Sequence, residues 1–304
     1  MSRPLRIGTR GSDLALWQAH RVVDLLTAAG AGKAEIVVIR TRGDADASRP
    51  LWQLADVGFF TKELQAALLA GGVDLVVHSL KDLPTEEPDG LAVVAVLQRD
   101  DPRELLLARP AAVGPDGLGL RRGAVIGTSS LRRAGQALAA QPDLVVRPLR
   151  GNVPTRIRHL RDGSYDAILL AAAGVDRLGL DLGGLHVRRC EVAEIIPAPG
   201  QGALAVEVRS GDDAAIAAVR PLHDPCVAEA TSCERAVLKG LGGGCHLPLG
   251  AFAQPHGAGV ELQAALAELD ASISSATVRR ARVFGDSGLA AAGAALAELD
   301  GGAA

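Results

Sequence analysis

The sequence predicts an α/β protein: two α/β units followed by a smaller α+β unit. Two observations carry this. Short apolar runs rich in Val, Ile and Leu alternate with stretches at helical spacing through the first two thirds of the chain. After Pro221 the order changes to one long helix, three strand-like runs and a closing helix. Polar segments with Pro, Gly and charge at 98–103 and 197–202 mark two crossings between units. The expected domains are therefore 1–98 with 201–219, then 103–196, then 222–304.

The elements follow in order. Residues 5–9 read as a strand, Arg10-Gly11-Ser12 as a turn, and Ser12 as the N-cap of a helix. Leu16, Ala19, Val23 and Leu26 keep helical spacing up to Gly30. Residues 35–41 read as a strand, 41–50 as a polar loop, and 61–70 as a helix ended by Gly71-Gly72. Strands at 73–77 and 91–97 complete a β-α-β-α-β order, which implies a parallel sheet. In the second unit, strands are expected at 124–128, 144–149 and 165–171. A helix capped by Ser129 or Ser130 runs to about residue 140. Another spans 153–161 with Pro154 in its first turn, and a short one passes through Arg177. Residues 203–208 are strand-like and could return to the first sheet. The last unit has a helix at 225–241, antiparallel strands at 247–253, 260–266 and 276–283, and a helix at 289–299.

Composition limits the reading further. Apolar residues make up 48%, enough for a sizeable core, but aromatics make up only 2%, so Ala, Val, Leu and Ile must build it. No run of 18 apolar residues marks a membrane span, and residues 1–7 lack a signal-peptide core, so a cytoplasmic location is expected. Four cysteines in a chain of 304 residues make no disulfide framework. Net charge is −3, yet 121–161 holds nine arginines, no lysine and one acid, Asp143.

Where the arginines sit suggests their chemistry. Gly127-Thr128-Ser129-Ser130-Leu131-Arg132-Arg133 is a strand end, a set of hydroxyls and a helix start. Free backbone N–H groups and the helix dipole favour an anion there, and guanidinium groups bind carboxylate or phosphate in pairs of hydrogen bonds. Leu149-Arg150-Gly151-Asn152-Val153-Pro154-Thr155-Arg156 repeats the plan, and Arg10-Gly11-Ser12 repeats it in the first unit. Three such turns suggest a ligand with several anionic groups. No phosphate-binding P-loop motif occurs. His78-Ser79-Leu80-Lys81-Asp82-Leu83-Pro84 follows an apolar strand, and its Lys81-Asp82 pair reads locally either as a surface ion pair or as a catalytic one. Cys245 stands on a glycine turn as a nucleophile, an attachment point or a plain apolar residue. His223, Cys226, Cys233, Cys245 and His246 match no zinc spacing, although Cys226 and Cys233, seven apart, should share a helix face. No metal is expected.

Together these stretches resemble the porphobilinogen deaminase family. The resemblance runs from Arg6 to about Phe252. It rests on Arg6-Ile7-Gly8-Thr9-Arg10, Leu14-Ala15-Leu16-Trp17-Gln18-Ala19, the 78–84 segment, 127–133, 149–152, Pro199-Gly200-Gln201-Gly202 and Gly243-Gly244-Cys245, in family order. It implies two type II periplasmic-binding-protein-like α/β domains and a smaller C-terminal α+β domain. It also implies a dipyrromethane cofactor on Cys245, held by Lys81, Asp82, Thr128, Ser129, Ser130, Arg132, Arg133, Arg150 and Gly151. Arg10, Ser12, Phe60, Ser79, Arg150, Arg156, Arg177 and Gln201 would line the substrate side, and Asp82 would be catalytic. The implied reaction condenses four porphobilinogen molecules with loss of ammonia and releases hydroxymethylbilane, for tetrapyrrole and heme biosynthesis. The expected partners are porphobilinogen and the growing polypyrrole, with no nucleic acid and no membrane, in a monomer.

Two other classes compete. A non-catalytic solute-binding module would use the same two α/β units, but would leave Cys245 and the third unit without a purpose. Nucleic-acid binding through the arginine-rich stretch would need stacking aromatics, and Tyr165 is the sole aromatic near it.

Overall fold

The computed structural model describes residues 3–41, 61–244 and 247–301. The described chain divides into two compact units, one of 3–41, 61–100 and 202–229, the other of 101–201, 230–244 and 247–301.

The first unit opens with β1 (Leu5–Thr9), α1 (Asp13–Ala28), β2 (Ala34–Val38), α2 (Lys62–Leu69), β3 (Leu75–Ser79) and β4 (Leu91–Val96). The chain then forms β5 (Glu104–Ala108), the short β6 (Val113–Asp116), β7 (Val125–Gly127), α3 (Leu131–Ala140), β8 (Val145–Arg147), α4 (Val153–Arg161), β9 (Ala167–Ala171), α5 (Ala172–Leu178) and β10 (His186–Arg189) in the second unit. It returns to the first with β11 (Leu204–Arg209) and α6 (Asp213–Val219). Helix α7 (Pro225–Gly240) leads into β12 (Leu249–His256), β13 (Gly259–Leu269), β14 (Ala276–Gly285) and α8 (Gly288–Leu299).

The two larger sheets share one topology. The first has the order β2-β1-β3-β11-β4, the second β10-β5-β9-β7-β8. In each, one strand runs antiparallel to both of its neighbours: β11 against β3 and β4, β5 against β9 and β10. Each antiparallel strand is the first that the chain forms after passing from one unit to the other. The parallel sheet read from the alternation is thus mixed, because the returning strand must enter from the opposite end. Four further elements were not expected: β5, β6, β10 and α6. β5 (Glu-Leu-Leu-Leu-Ala) and β10 are short and flanked by polar segments, and α6 is only seven residues long.

Apolar packing on both sheet faces is aliphatic, as the composition requires. Ile7, Val22, Leu26, Leu75, Val77, Val206 and Val208 form one layer of the first unit, and Leu64, Leu68, Val73, Val76 and Leu91 another. The C-terminal meander β12-β13-β14 is antiparallel throughout and buries an alanine-rich core against α7 and α8. Small residues let it pack closely within its unit. A Cβ on Gly135 of α3 would stand 2.3 Å from the Ala267 Cβ of β13, and one on Gly250 would stand 2.5 Å from the Ile196 carbonyl oxygen.

Candidate active site

In the first unit the candidate residues gather at the carboxyl end of the sheet. β1 and β3 are parallel neighbours, so Arg10-Gly11-Ser12 and the segment after Ser79 leave from the same edge. Ser12 caps α1, its hydroxyl accepting from the Ala15 N–H at 3.3 Å. From α1, Gln18 Nε2 donates to Ser79 Oγ at the end of β3 at 2.9 Å. β3 runs two residues beyond the expected strand, so His78 and Ser79 belong to it and Leu80–Asp82 forms a 3-10 turn. Leu80 and Leu83 are buried and anchor that turn, with Lys81 and Asp82 half-exposed between them. Asp82 has no hydrogen bond or ion pair among the described residues. Behind the strand, His78 Nε2 lies 3.0 Å from Glu207 Oε2, and Gln65 Nε2 donates to Glu207 Oε1 at 2.9 Å, all buried.

The second unit supplies the arginines. β7 and β8 are parallel neighbours, so both arginine turns open at one edge. Ser130 is the N-cap of α3, accepting from the Arg133 N–H. Thr128 is buried and its hydroxyl accepts from the Ser130 N–H at 3.1 Å. Ser129 stitches the two turns together: its hydroxyl donates to the Leu149 carbonyl at 2.7 Å and accepts from the Leu149 N–H at 3.1 Å. Gly151 has φ +101°, and a Cβ there would lie 2.7 Å from Thr155 Cγ2, so glycine is required twice over. Asn152 caps α4 through the Thr155 N–H at 3.0 Å, and Pro154 sits in the first turn without disturbing it.

The guanidinium groups crowd one another. Arg156 is anchored by its Nε to the Gly151 carbonyl at 2.7 Å. Burial, then the neighbouring Arg133 and Arg150 cations, lower it to about 10. An anion at this point would relieve that repulsion. Arg132 and Arg133 are buried beside a fully buried acid that the sequence did not single out: Glu104, at the start of β5. Burial lowers the Arg132 guanidinium, and Glu104 opposes that shift. Gln201, expected on the substrate side, is itself buried, with Nε2 donating to Glu104 at 2.9 Å and to the Pro102 carbonyl at 2.7 Å. Arg177 is half-buried in the last turn of α5.

Phe60 and Cys245 lie outside the described residues. The turn before Cys245 is described: Gly242, Gly243 and Gly244 have φ +91°, +61° and +130°. That run of left-handed backbone explains the glycines. The other cysteines divide by burial. The Cys190 thiol is pushed up to about 12 by burial, which leaves it inert. Cys226 and Cys233 both lie on α7 and so share one face, but Cys226 is exposed and Cys233 buried. Cys226 lies in the first turn of α7, whose Val227 and Ala228 are the residues that pack there. No group of His, Cys, Asp or Glu able to hold a metal occurs among the described residues.

Strand-end turns carrying guanidinium, hydroxyl and backbone N–H groups, on two sheets of one topology, define an α/β protein with anion-compatible donors at its strand ends. Family models give its family. Residues 5–217 match "Porphobilinogen deaminase, dipyromethane cofactor binding domain" and 228–298 match "Porphobilinogen deaminase, C-terminal domain". The chain belongs to the porphobilinogen deaminase family. Porphobilinogen deaminase from Roseiflexus castenholzii is 46% identical over 98% of this chain and 96% of its own length. That of Thermus thermophilus is 49% identical over 83% of this chain and 80% of its own. A solved ancestral arginine-binding protein is 14% identical with a TM-score of 0.41, covering 73% of this chain and 91% of that one.

Proposed function

We propose that this chain is a hydroxymethylbilane synthase. It joins four porphobilinogen molecules in turn, releasing ammonia at each step, and hydrolysis frees the linear tetrapyrrole. The observation that carries this is the gathering of Arg133, Arg150 and Arg156 at the two arginine turns, where burial first and then the neighbouring cations lower Arg156. Each pyrrole brings an acetate and a propionate, so a lengthening chain is a polyanion that would neutralise these groups.

The residues present fit a dipyrromethane. Arg132, Arg133, Arg150 and Gly151, with Thr128 and Ser130, offer donors for its carboxylates at one sheet edge, and Ser129 sets the spacing of the two turns. Lys81 supplies a further cation for the cofactor and Cys245 the thioether. When bound, dipyrromethane supplies the pyrrole terminus to which the first porphobilinogen is joined. Arg10, Ser12, Ser79, Arg156, Arg177, Gln201 and Phe60 take the substrate side. Asp82, half-exposed on a turn pinned by two leucines, presents a carboxylate to pyrrole nitrogens. Loss of ammonia from porphobilinogen leaves an electron-poor azafulvene. A nearby carboxylate stabilises positive charge on its nitrogen and accepts the proton released when the new C–C bond forms.

Three domains accord with this division of labour: 1–98 with 201–219 carrying Asp82, 103–196 carrying the arginines, and 222–304 carrying Cys245. The protein acts as a cytoplasmic monomer without nucleic acid or membrane. No described helix is long and apolar enough to cross a membrane. The test is intact mass. Protein from cells that make porphobilinogen should exceed its sequence mass by one dipyrromethane, and Cys245→Ala should not. An unmodified wild-type mass together with no porphobilinogen consumption sinks the reading.

A further inference from the structure

One buried acid organises the arginine turn from beneath. Glu104 has no solvent exposure. Its Oε1 accepts from Arg132 Nη2 at 2.6 Å and from Gln201 Nε2 at 2.9 Å, and its Oε2 accepts from Arg133 Nε at 2.9 Å. Arg132 continues through Nη1 to the Ile196 carbonyl at 2.8 Å. Gln136 brackets the same residue, donating to its carbonyl at 3.0 Å and accepting from its N–H at 2.8 Å. Glu104 follows the first crossing between the units, Ile196 directly precedes the second and Gln201 lies in it. One carboxylate therefore ties both crossings to the helix start that bears the arginines.

The two arginines are held differently. Arg132 has both terminal nitrogens engaged. Arg133 is held through Nε alone, and its terminal nitrogens make no hydrogen bond among the described residues. A guanidinium is a rigid planar fork, so gripping it at Nε limits the directions in which the other nitrogens point. A carboxylate buried with two cations is a costly arrangement that apolar packing could replace, so its presence calls for a use beyond stability.

We propose that Glu104 is a positioning residue for carboxylate recognition: one buried carboxylate holds Arg132 and Arg133 in register and leaves the Arg133 terminal nitrogens to bind a pyrrole acetate or propionate. This rests on the pyrrole-carboxylate reading given above. Glu104→Gln keeps the shape and removes the charge. In the full chain, made in cells that supply porphobilinogen, the variant should show a KM for porphobilinogen raised about 10-fold with a smaller change in kcat. A lower fraction of its molecules should carry the dipyrromethane mass. The Arg133 Nε–H resonance should move toward that of a free guanidinium. Glu104→Asp should fall between Glu104→Gln and wild type. Gln136→Met breaks the neighbouring bonds to Ile196 without removing either guanidinium's acid. It should lower Tm but leave KM and the Arg133 resonance unchanged.

Wild-type KM and full cofactor loading in Glu104→Gln overturn the proposal, as does an equal rise in KM in Gln136→Met. If Glu104→Gln does not accumulate folded, Glu104→Asp decides: a KM within about twofold of wild type overturns the proposal. A wild type that neither carries the adduct nor consumes porphobilinogen fails the functional reading instead. The Arg133 resonance then still reports whether Glu104 holds that guanidinium.

Discussion

Asp82 and Glu104 are both carboxylates near cationic side chains, yet their surroundings give them opposite uses. Glu104 is fully buried and satisfied by three side-chain donors, so it cannot reach a substrate. Asp82 is half-exposed and has no partner among the described residues. A carboxylate with no structural partner can be neutralised without loss of fold. Asp82→Asn should therefore melt within a few degrees of wild type while its turnover falls about 100-fold or more. Thermal unfolding read beside single-turnover product formation checks this, and near-normal turnover would remove Asp82 from its catalytic role. Glu104→Gln should show the other pattern, losing stability while its KM rises.

At the scale of elements, the strand-to-helix turns were the most legible part of the chain. Ser12, Ser130 and Asn152 each cap the helix that follows, because N-capping is local and depends on a hydroxyl or amide beside a helical run. Glu104 was not legible. It directly follows a polar segment that reads as a linker, and what makes it important is a partner helix some 28 positions on. β10 was missed for a related reason: its sequence His-Val-Arg-Arg becomes a strand through pairing with β5. Gly151 shows how far a local signal can be pushed. Its φ of +101° and the 2.7 Å approach of Thr155 exclude a side chain. Gly151→Ala should cost about 1–3 kcal/mol and displace the turn that carries Arg150. Denaturant unfolding, together with the KM for porphobilinogen, measures both effects. A variant equal to wild type in each would mean that the turn accepts another backbone.

The whole molecule carries a further charge arrangement that the site does not use. Asp74, at the start of the strand run that leads to Asp82, is almost fully buried. Burial alone would raise its carboxyl, but hydrogen bonds from Arg3 and Arg6 prevail and hold it well below the usual carboxylate range. Asp101 and Glu194 are lowered in the same way by arginines in the second unit, and Glu261 is lowered there first by the Gln254 amide and then by Arg282. A carboxyl lowered by folding contributes stability that is present above its unfolded value of about 4 and lost as pH falls through the folded value. Both units should therefore lose stability together as the solution is acidified below about pH 4, with little change between pH 6 and 8 from these groups. Asp74→Asn should be less stable than wild type at pH 7 by on the order of 3 kcal/mol, since it leaves two guanidinium groups without their acid. The difference should shrink toward pH 3, where the wild-type contribution is fading. Unfolding free energies measured across that range decide the point. A gap between wild type and variant that stays constant with pH would mean that Asp74 acts through packing and not through its charge.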